Sequence, residues 1–322
     1  MTDGAFDLAS PIWVAGHSGL VGSALVRRLR ADGATRLLLR SHAELDLTDG
    51  AAVDAFVAAE RPRFVLLAAA KVGGINANSE YPATFIRDNL AIQTNVIHSS
   101  WKHGARKLLF LGSSCIYPKF APQPIREDAL LTGPLEPTNE PYAIAKIAGI
   151  EMCRAYRRQH GFDAIAVMPT NLYGPGDNFD AQNSHVVPAL IRRLHEAAMR
   201  GDAQVTIWGS GSPLREFLHV DDLADALLLL MRRYSAEQII NVGSGQELSI
   251  ADLARTIADI VGFRGELVFD TSKPDGTPRK RLDTAKMDAL GWRPRVALSD
   301  GLRATWQAFA GASADHTARA AQ

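Results

Sequence analysis

The sequence predicts an α/β protein: a Rossmann-type doubly wound parallel sheet followed by a smaller α/β lobe in the C-terminal part. From residue 12 onward, apolar runs of strand length alternate with longer segments of helical periodicity, which is the pattern of βαβ units. The apolar runs are almost continuous, as they are in parallel strands that are buried on both faces. A glycine-rich turn between the first strand and the first helix also favours this class.

The elements of the first lobe follow in order from this alternation. The predicted strands cover residues 12–15, 36–39, 64–68, 107–111 and 164–168. The predicted helices cover residues 19–31, 49–59, 81–103 and 141–160. Asn139 and Pro141 support the start of the last of these helices, because a capping residue and an early proline commonly open a helix.

A change in residue composition near residue 174 marks the start of the second lobe. A loop rich in Gly, Asn and Asp spans 173–184, and a Gly-Ser turn follows at 209–212. We therefore predict a dinucleotide-binding Rossmann domain at 1–174, a substrate-binding lobe at 175–313 and a disordered tail at 314–322. Within the second part, segments near 218–243 read as a helix and a strand that return to the first sheet.

Composition limits the classes of function. The 322 residues carry 35 Lys and Arg against 35 Asp and Glu, so the chain lacks the one-sided charge that binding to nucleic acid or to an anionic membrane usually needs. Its two cysteines, Cys115 and Cys153, have no metal-binding spacing, which argues against a disulfide framework and a metal site. No signal peptide and no membrane-spanning run are recognisable, so a cytoplasmic location is expected.

The first βα turn predicts a site for phosphate groups. Three glycines follow the first strand with the spacing GxxGxxG. Glycine permits a tight turn and the close approach of a pyrophosphate, while the helix N-terminus supplies free N–H groups. The alternative is a tight turn without a ligand. The expected dinucleotide contacts in this turn are Gly16, His17, Ser18, Gly19, Leu20, Val21 and Gly22.

The end of the second strand bears on the choice between NADP and NAD. NAD enzymes commonly place an acid there, whereas this chain has Arg40 and His42. A cation favours the 2′-phosphate of NADP, although Arg40 also fits an ordinary solvated strand end. Asp46, followed by Leu47, suits a contact with adenine or a cap for the next helix.

Three residues form a candidate acid/base group. Tyr142 and Lys146 are four residues apart and therefore share one face of the predicted helix. A nearby ammonium is expected to lower the pKa of the phenol, which makes tyrosine usable as an acid or base near neutral pH. Ser113 follows the fourth strand, at the sheet edge where open α/β sheets bind their ligands.

Together these residues resemble the extended short-chain dehydrogenase/reductase family, whose members often act on nucleotide sugars. The resemblance runs from about residue 12 to residue 292. Beyond the residues above, it is carried by the segments 68–75 (AAAKVGGI), 112–118 (GSSCIYP), 136–149 (EPTNEPYAIAKIAG), 168–174 (MPTNLYG), 183–186 (NSHV), 208–211 (WGSG), 215–222 (REFLHVDD) and 273–277 (KPDGT).

The resemblance implies an enzyme that epimerises GDP-4-keto-6-deoxy-D-mannose at C3 and C5 and then reduces C4 with NADPH, giving GDP-L-fucose. Tyr142 would protonate the C4 oxygen with the help of Ser113, and Lys146 would hold the nicotinamide ribose. Cys115 and His185 would be the acid/base pair of the epimerisation, since a thiolate or an imidazole can remove a proton next to a ketone. From the residues alone, Cys115 also fits a small core residue and His185 a surface histidine.

The resemblance also assigns binding residues and an assembly. The further cofactor contacts are Leu111, Gly112, Ser113, Ser114, Lys146, Pro169, Thr170, Asn171, Leu172 and His185. The contacts to the GDP-sugar are Arg193, Trp208, Arg215, Asp275 and Lys280. Of these, Arg193 also fits a solvated helix face. A homodimer that pairs through the helices at 81–103 and 141–160 is implied.

Two positions depart from the family pattern. Relatives carry Arg at the positions of Ser18 and His42, where it meets the 2′-phosphate of the cofactor. This chain retains Arg40, and His42 can still donate a hydrogen bond to a phosphate. NADP(H) is therefore the expected cofactor, with some use of NAD(H).

Overall fold

Apolar strands in the N-terminal part assemble into a parallel sheet of six strands within the described residues, which are 6–181, 184–273 and 275–320 of the computed structural model. In chain order the strands are β1 (Ile12–Ala15), β2 (Leu37–Leu38), β3 (Phe64–Leu67), β4 (Lys107–Leu111), β5 (Asp163–Pro169), β6 (Asn171–Tyr173), β7 (Gln204–Trp208), β8 (Leu214–His219), β9 (Ile240–Val242), β10 (Glu247–Ser249), β11 (Glu266–Asp270) and β12 (Arg279–Lys280). The large sheet has the order β2-β1-β3-β4-β5-β9.

Helices cover both faces of this sheet and also build the second lobe. They are α1 (Leu20–Ala31), α2 (Gly50–Glu60), α3 (Ile75–Glu80), α4 (Pro82–Lys102), α5 (Glu140–His160), α6 (Val186–Arg200), α7 (Val220–Arg233), α8 (Ile250–Val261), α9 (Ala285–Ala289) and α10 (Leu298–Ala320). Short 3₁₀ helices cover Ser114–Ile116, Glu127–Ala129 and Pro137–Asn139.

The doubly wound arrangement follows from the alternation of side chains along each strand. On β1, Ile12 and Val14 pack in the apolar layer that contains α1 and α7. Trp13 and Ala15 point to the opposite layer, which contains α2, α4 and α5. All strand contacts within the sheet are parallel. The predicted fold class is therefore confirmed.

The second lobe is built from a chain that leaves the large sheet and later returns to it. Strand β8 pairs with β6, β10 and β12, while β7 pairs with β11. A third apolar cluster joins these strands to α6, α8 and α10. The chain returns through α7 and through β9, which pairs with β5 at Val167 and Ile240. The helix and strand predicted near 218–243 do return to the first sheet.

The C-terminal segment differs from the sequence-based expectation. Helix α10 continues to Ala320, so residues 314–320 are helical, where the sequence analysis predicts a disordered tail. Alanine recurs along this stretch and has the highest helix propensity, which accounts for the extension. Residues 321 and 322 lie outside the described residues. Among the helices that the structure describes, none is both long and apolar enough to cross a membrane.

The glycine turn after β1 is closed by backbone packing. Gly16 has φ +87°, and a Cβ there would lie 2.7 Å from the Cα of Ala69. A Cβ on Gly22 would collide with the carbonyl oxygen of Gly16, so the turn and the first helix touch through their backbones. By contrast, a Cβ on Gly19 meets only that same oxygen, at 3.6 Å. The outer side of the turn at Gly19 is therefore open.

Because a Cβ fits at Gly19 but not at Gly22, replacing each glycine by alanine should have different effects on stability. Gly22→Ala forces the helix away from the turn, and we expect a loss of about 1–3 kcal/mol in the free energy of unfolding, the usual cost of overpacking. Gly19→Ala is the matched control and should change the free energy of unfolding by much less. Urea denaturation of the three proteins measures both values, and equal losses for the two variants would contradict the backbone contact.

Candidate active site

The candidate catalytic residues meet at the carboxyl edge of the large sheet. Strand β4 ends at Leu111, and the chain then turns through Ser113 into a 3₁₀ helix that carries Cys115. The Ser113 Oγ accepts a hydrogen bond from the Cys115 backbone N at 3.2 Å, which caps this helix. Ser113 and Cys115 are also the two side chains that act on the pKa of the Tyr142 phenol. Ser113, Cys115 and Tyr142 therefore form one cluster.

Tyr142 and Lys146 share a face of α5, as predicted. The Lys146 Nζ lies 5.9 Å from the centre of the Tyr142 ring and donates a hydrogen bond to the Leu111 carbonyl oxygen at 2.8 Å. Burial lowers the pKa of Lys146 to about 7. Burial also raises the pKa of Tyr142, and the nearby Cys115 raises it further. The expected fall in the phenol pKa is therefore wrong for this structure, and Tyr142 keeps its proton at neutral pH.

Cys115 has a cation in direct contact with its sulfur. The Lys280 Nζ donates a hydrogen bond to the Cys115 Sγ at 3.4 Å. Burial alone would raise the pKa of this thiol, but Lys280 together with hydrogen bonds from Ser113 and Asn139 lowers it below its ordinary value. Cys115 is only partly buried, so it is not the small core residue of the alternative interpretation.

His185 lies at the start of α6 and makes no capping hydrogen bond with its side chain. Withdrawal from water lowers the pKa of His185, and the charge of Lys280 lowers it further. Lys280 thus acts on both members of the candidate epimerising pair. Its strand β12 pairs with β8 so that Lys280 lies opposite Arg215. The lysine assigned to the GDP-sugar is therefore also part of the acid/base cluster.

The glycine turn fits a dinucleotide. Gly19 is open on its outer side, and the Nδ1 of His17 is buried without a hydrogen-bond partner in the described part of the chain. The N-terminus of α1 also carries no side-chain cap, so its N–H groups are free for the phosphates of the cofactor. Ser18, Leu20 and the glycines of this turn are placed as the sequence predicts.

At the adenosine end of the predicted cofactor site, Arg40 has partners within the protein. Arg40 donates hydrogen bonds to Glu60 at 2.7 Å and to the Leu39 carbonyl oxygen at 2.9 Å, and its guanidinium lies over the ring of Phe56. The guanidinium of Arg40 is therefore held by contacts within the protein. His42 is 83% exposed at its side chain.

Asp46 closes its own turn by accepting hydrogen bonds from the Thr48 backbone N and Oγ1, both at 2.8 Å. The cap of α2 is Asp49, which accepts from Ala51 and Ala52. Asp46 is therefore not the cap of α2, because its carboxylate accepts the two hydrogen bonds from Thr48 instead. The carbonyl oxygen of Leu47 accepts from Asn95 at 3.0 Å.

The remaining predicted cofactor contacts lie where β4 and β5 end, and they are Leu111, Gly112, Ser114, Pro169, Thr170, Asn171 and Leu172. The side chains of Thr170 and Asn171 turn to the second lobe. Both donate hydrogen bonds to the carbonyl oxygen of Glu216, at 3.2 and 2.8 Å. These two side chains join the end of β5 to β8 of the second lobe.

The predicted substrate residues line the second lobe. Trp208 is 55% exposed at the end of β7, and the Lys273 Nζ lies 5.6 Å from its ring centre. Arg193 is exposed on α6 and donates to the Thr206 carbonyl oxygen at 2.8 Å. Arg193 and Trp208 therefore belong to one surface.

Asp275 is engaged within the protein. It accepts hydrogen bonds from the backbone N and the Oγ of Ser210, at 2.7 and 2.8 Å, and so closes the Gly-Ser turn. Its carboxylate also attracts Arg215. Asn183 and Pro274, which belong to two of the motifs, lie outside the described residues.

Sequence reasoning missed the role of Asn139. It precedes α5 and is predicted to cap that helix, yet its side chain makes no capping bond, and Asn139 lines the same small cavity as Cys115. Cys153, by contrast, is fully buried in an apolar layer, as its packing interpretation predicts. Among the described residues, no group of three or more His, Cys, Asp and Glu side chains is placed to hold a metal ion.

Comparison with known proteins agrees with this geometry. The model of the NAD dependent epimerase/dehydratase family matches residues 12–243. The chain is 64% identical to GDP-L-fucose synthase 1 of Arabidopsis thaliana over 93% of each chain. It is 54% identical to GDP-L-fucose synthase of Escherichia coli K12 over 92% of this chain and 96% of the relative. A solved GDP-L-fucose synthetase from Naegleria fowleri bound to NADP has a TM-score of 0.89 at 30% identity, covering 97% of this chain and 98% of that one.

Proposed function

The chain belongs to the NAD dependent epimerase/dehydratase family, and we propose that it converts GDP-4-keto-6-deoxy-D-mannose to GDP-L-fucose with NADPH. The resemblance to extended short-chain dehydrogenase/reductases is confirmed by this membership. The observation that carries the proposal is the cluster of Ser113, Tyr142 and Cys115 at one sheet edge, with Lys280 against the sulfur. This cluster combines the groups for reduction with a polarised thiol for epimerisation.

Epimerisation needs one group that removes the proton next to the C4 ketone and another that returns a proton to the opposite face. Cys115 and His185 supply these groups from two different elements, the segment after β4 and the start of α6. The electron pair of the broken C–H bond moves to the C4 oxygen as an enolate. The hydroxyls of Ser113 and Tyr142 stabilise that oxygen by hydrogen bonds.

Reduction needs a proton donor for the C4 oxygen. When bound, NADPH supplies the hydride that is added to C4. Tyr142 supplies the proton, and the raised pKa of its phenol keeps it in the protonated form at neutral pH. The glycine turn would hold the diphosphate of the cofactor, and Lys146 would hold its nicotinamide ribose. We place the reaction in the cytoplasm, where reducing conditions keep Cys115 a free thiol.

Isotope exchange tests the two halves of this proposal. In D₂O with the 4-keto sugar and NADPH, the product should carry deuterium at C3 and at C5. Cys115→Ser should slow this exchange by about 100-fold or more, the usual contribution of a general acid or base, and should slow reduction of an already epimerised sugar much less. Tyr142→Phe should chiefly abolish reduction while exchange continues. Absence of deuterium at both carbons would contradict the epimerisation.

The cofactor preference has a structural basis in the residues around the 2′-position. We propose that NADP(H) is the principal cofactor and that its advantage over NAD(H) is small. The supporting observation is that Arg40 is paired with Glu60, while Ser18 carries no charge and His42 extends into solvent. Of Ser18, Arg40 and His42, only Arg40 carries a guanidinium, and Glu60 competes with the 2′-phosphate for it.

Direct binding measures this preference without turnover. Ser18→Arg should tighten NADPH binding by roughly tenfold, the value of one charge-assisted hydrogen bond, and leave NADH binding nearly unchanged. Dissociation constants for both nucleotides, from the fluorescence of the bound nicotinamide, give the ratio for parent and variant. A large NADPH preference in the parent chain would overturn the proposal.

We propose a homodimer that pairs through α4 and α5. The supporting observation is the exposed apolar side chain of Ile144 on α5, at 41%. A charged residue at the centre of a helix face that pairs with a second chain would weaken the dimer, because its charge would lose water without gaining a partner.

Light scattering after size exclusion tests the dimer. The parent chain should show twice its mass of 34.8 kDa. Ile144→Glu should shift it toward the monomer. Met199→Glu is the control, because Met199 is 75% exposed on α6, away from the proposed interface. A monomeric parent, or equal behaviour of the two variants, would contradict the pairing.

A further inference from the structure

Lys280 stands out among the cations of the cleft because its charge is directed at a sulfur atom. Its Nζ lies 3.4 Å from the Cys115 Sγ. No ion pair between Lys280 and a carboxylate is found within the described residues. Its neighbours in the same small cavity differ, since Lys119 is paired with Glu136 at 2.9 Å and Arg279 is paired with Glu247.

The groups that face Cys115 come from several elements. Lys280 approaches from β12, Ser113 from the turn after β4, and Asn139 and Tyr142 from the start of α5. Tyr142 is neutral, so Lys280 is the charged group in contact with the sulfur. His185, on α6, also feels the charge of Lys280.

Asn139 provides a second, independent observation. It occupies the N-cap position of α5, where an asparagine normally accepts a hydrogen bond from the backbone of its own helix. It makes no such bond here, and its Oδ1 is buried without a partner among the described residues. Asn139 and Cys115 line the same small cavity, and the amide is one of the groups that lower the pKa of the thiol. The side-chain amide of Asn139 therefore does not cap α5, and its N–H group is available as a donor to the Cys115 sulfur.

We propose that Lys280, assisted by Asn139, is a positioning residue that holds Cys115 as a thiolate and so makes Cys115 the proton acceptor of the epimerisation. A thiolate is the form that removes protons, and an adjacent ammonium favours it over the thiol. The resemblance alone assigns Lys280 only to binding of the GDP-sugar. The inference rests on the role of Cys115 in the proposed function.

The rate of thiol alkylation as a function of pH tests this inference without substrate. Iodoacetamide reacts with the thiolate, and mass spectrometry of the labelled peptides separates Cys115 from the buried Cys153. Lys280→Met should move the midpoint of the Cys115 profile to higher pH and slow labelling at pH 7 by about tenfold, which corresponds to one pKa unit. Lys280→Arg should restore most of the rate, because it restores the charge.

Two further variants complete the test. Arg279→Met removes the neighbouring cation, which is paired with Glu247, and should leave the midpoint in place. Asn139→Asp keeps a residue suited to the N-cap but puts a carboxylate beside the sulfur, so the midpoint should rise. An unchanged midpoint in both Lys280→Met and Asn139→Asp overturns the inference.

The enzymatic readout distinguishes this inference from the proposed function. In Lys280→Met, the pH dependence of deuterium exchange at C3 and C5 should move upward together with the alkylation midpoint. A shifted alkylation midpoint in a protein that exchanges no substrate protons would refute the epimerisation and leave the thiolate pairing intact. A shifted exchange profile without a shifted alkylation midpoint would refute the thiolate pairing.

Discussion

The cleft depends on one buried carboxylate, that of Glu216 on β8. Its two oxygens accept hydrogen bonds from the backbone N of Gly245 at 2.7 Å and of Leu282 at 2.9 Å. The backbone carbonyl oxygen of Glu216 accepts hydrogen bonds from the side chains of Thr170 and Asn171, at the end of β5. Burial of a carboxylate is costly and raises the pKa of Glu216, and the N–H donors offset that cost. One residue thus joins the large sheet, the loop after β9 and the segment that follows β12.

This joint fixes where the charges of the cleft lie. Leu282 comes two residues after Lys280, so the residue whose backbone carbonyl oxygen holds Thr170 and Asn171 also fixes, through its carboxylate, the segment next to the strand that brings the ammonium to Cys115. The zero net charge of the chain does not reveal this placement of Lys280, because net charge is a sum over all residues. The local arrangement places the Lys280 ammonium against the Cys115 thiol, close to the Tyr142 phenol and partly withdrawn from water.

Local pattern was sufficient for the fold and for part of the site. Strand ends agree with the sequence-based bounds to within two residues, because apolar runs and glycine turns are read over a few neighbouring positions. The partners of charged side chains are not local. Arg40 meets Glu60 twenty positions away, and Lys280 meets Cys115 from 165 positions away, so no spacing rule could pair them. The phenol pKa was misjudged for the same reason, since the burial of Tyr142 and the engagement of Lys146 with Leu111 are tertiary facts.

The two cysteines show how far environment, and not residue type, decides function. Cys153 lies in an apolar layer, where burial raises the pKa of its thiol and leaves it inert. Cys115 follows β4 at the sheet edge, where Lys280 and two hydrogen-bond donors outweigh the effect of burial and lower the pKa. The same side chain therefore has a raised thiol pKa in the apolar layer and a lowered one at the strand end. A parallel sheet offers that second environment only at its carboxyl edge, because there the buried strands open onto loops that can carry a partner from the other lobe.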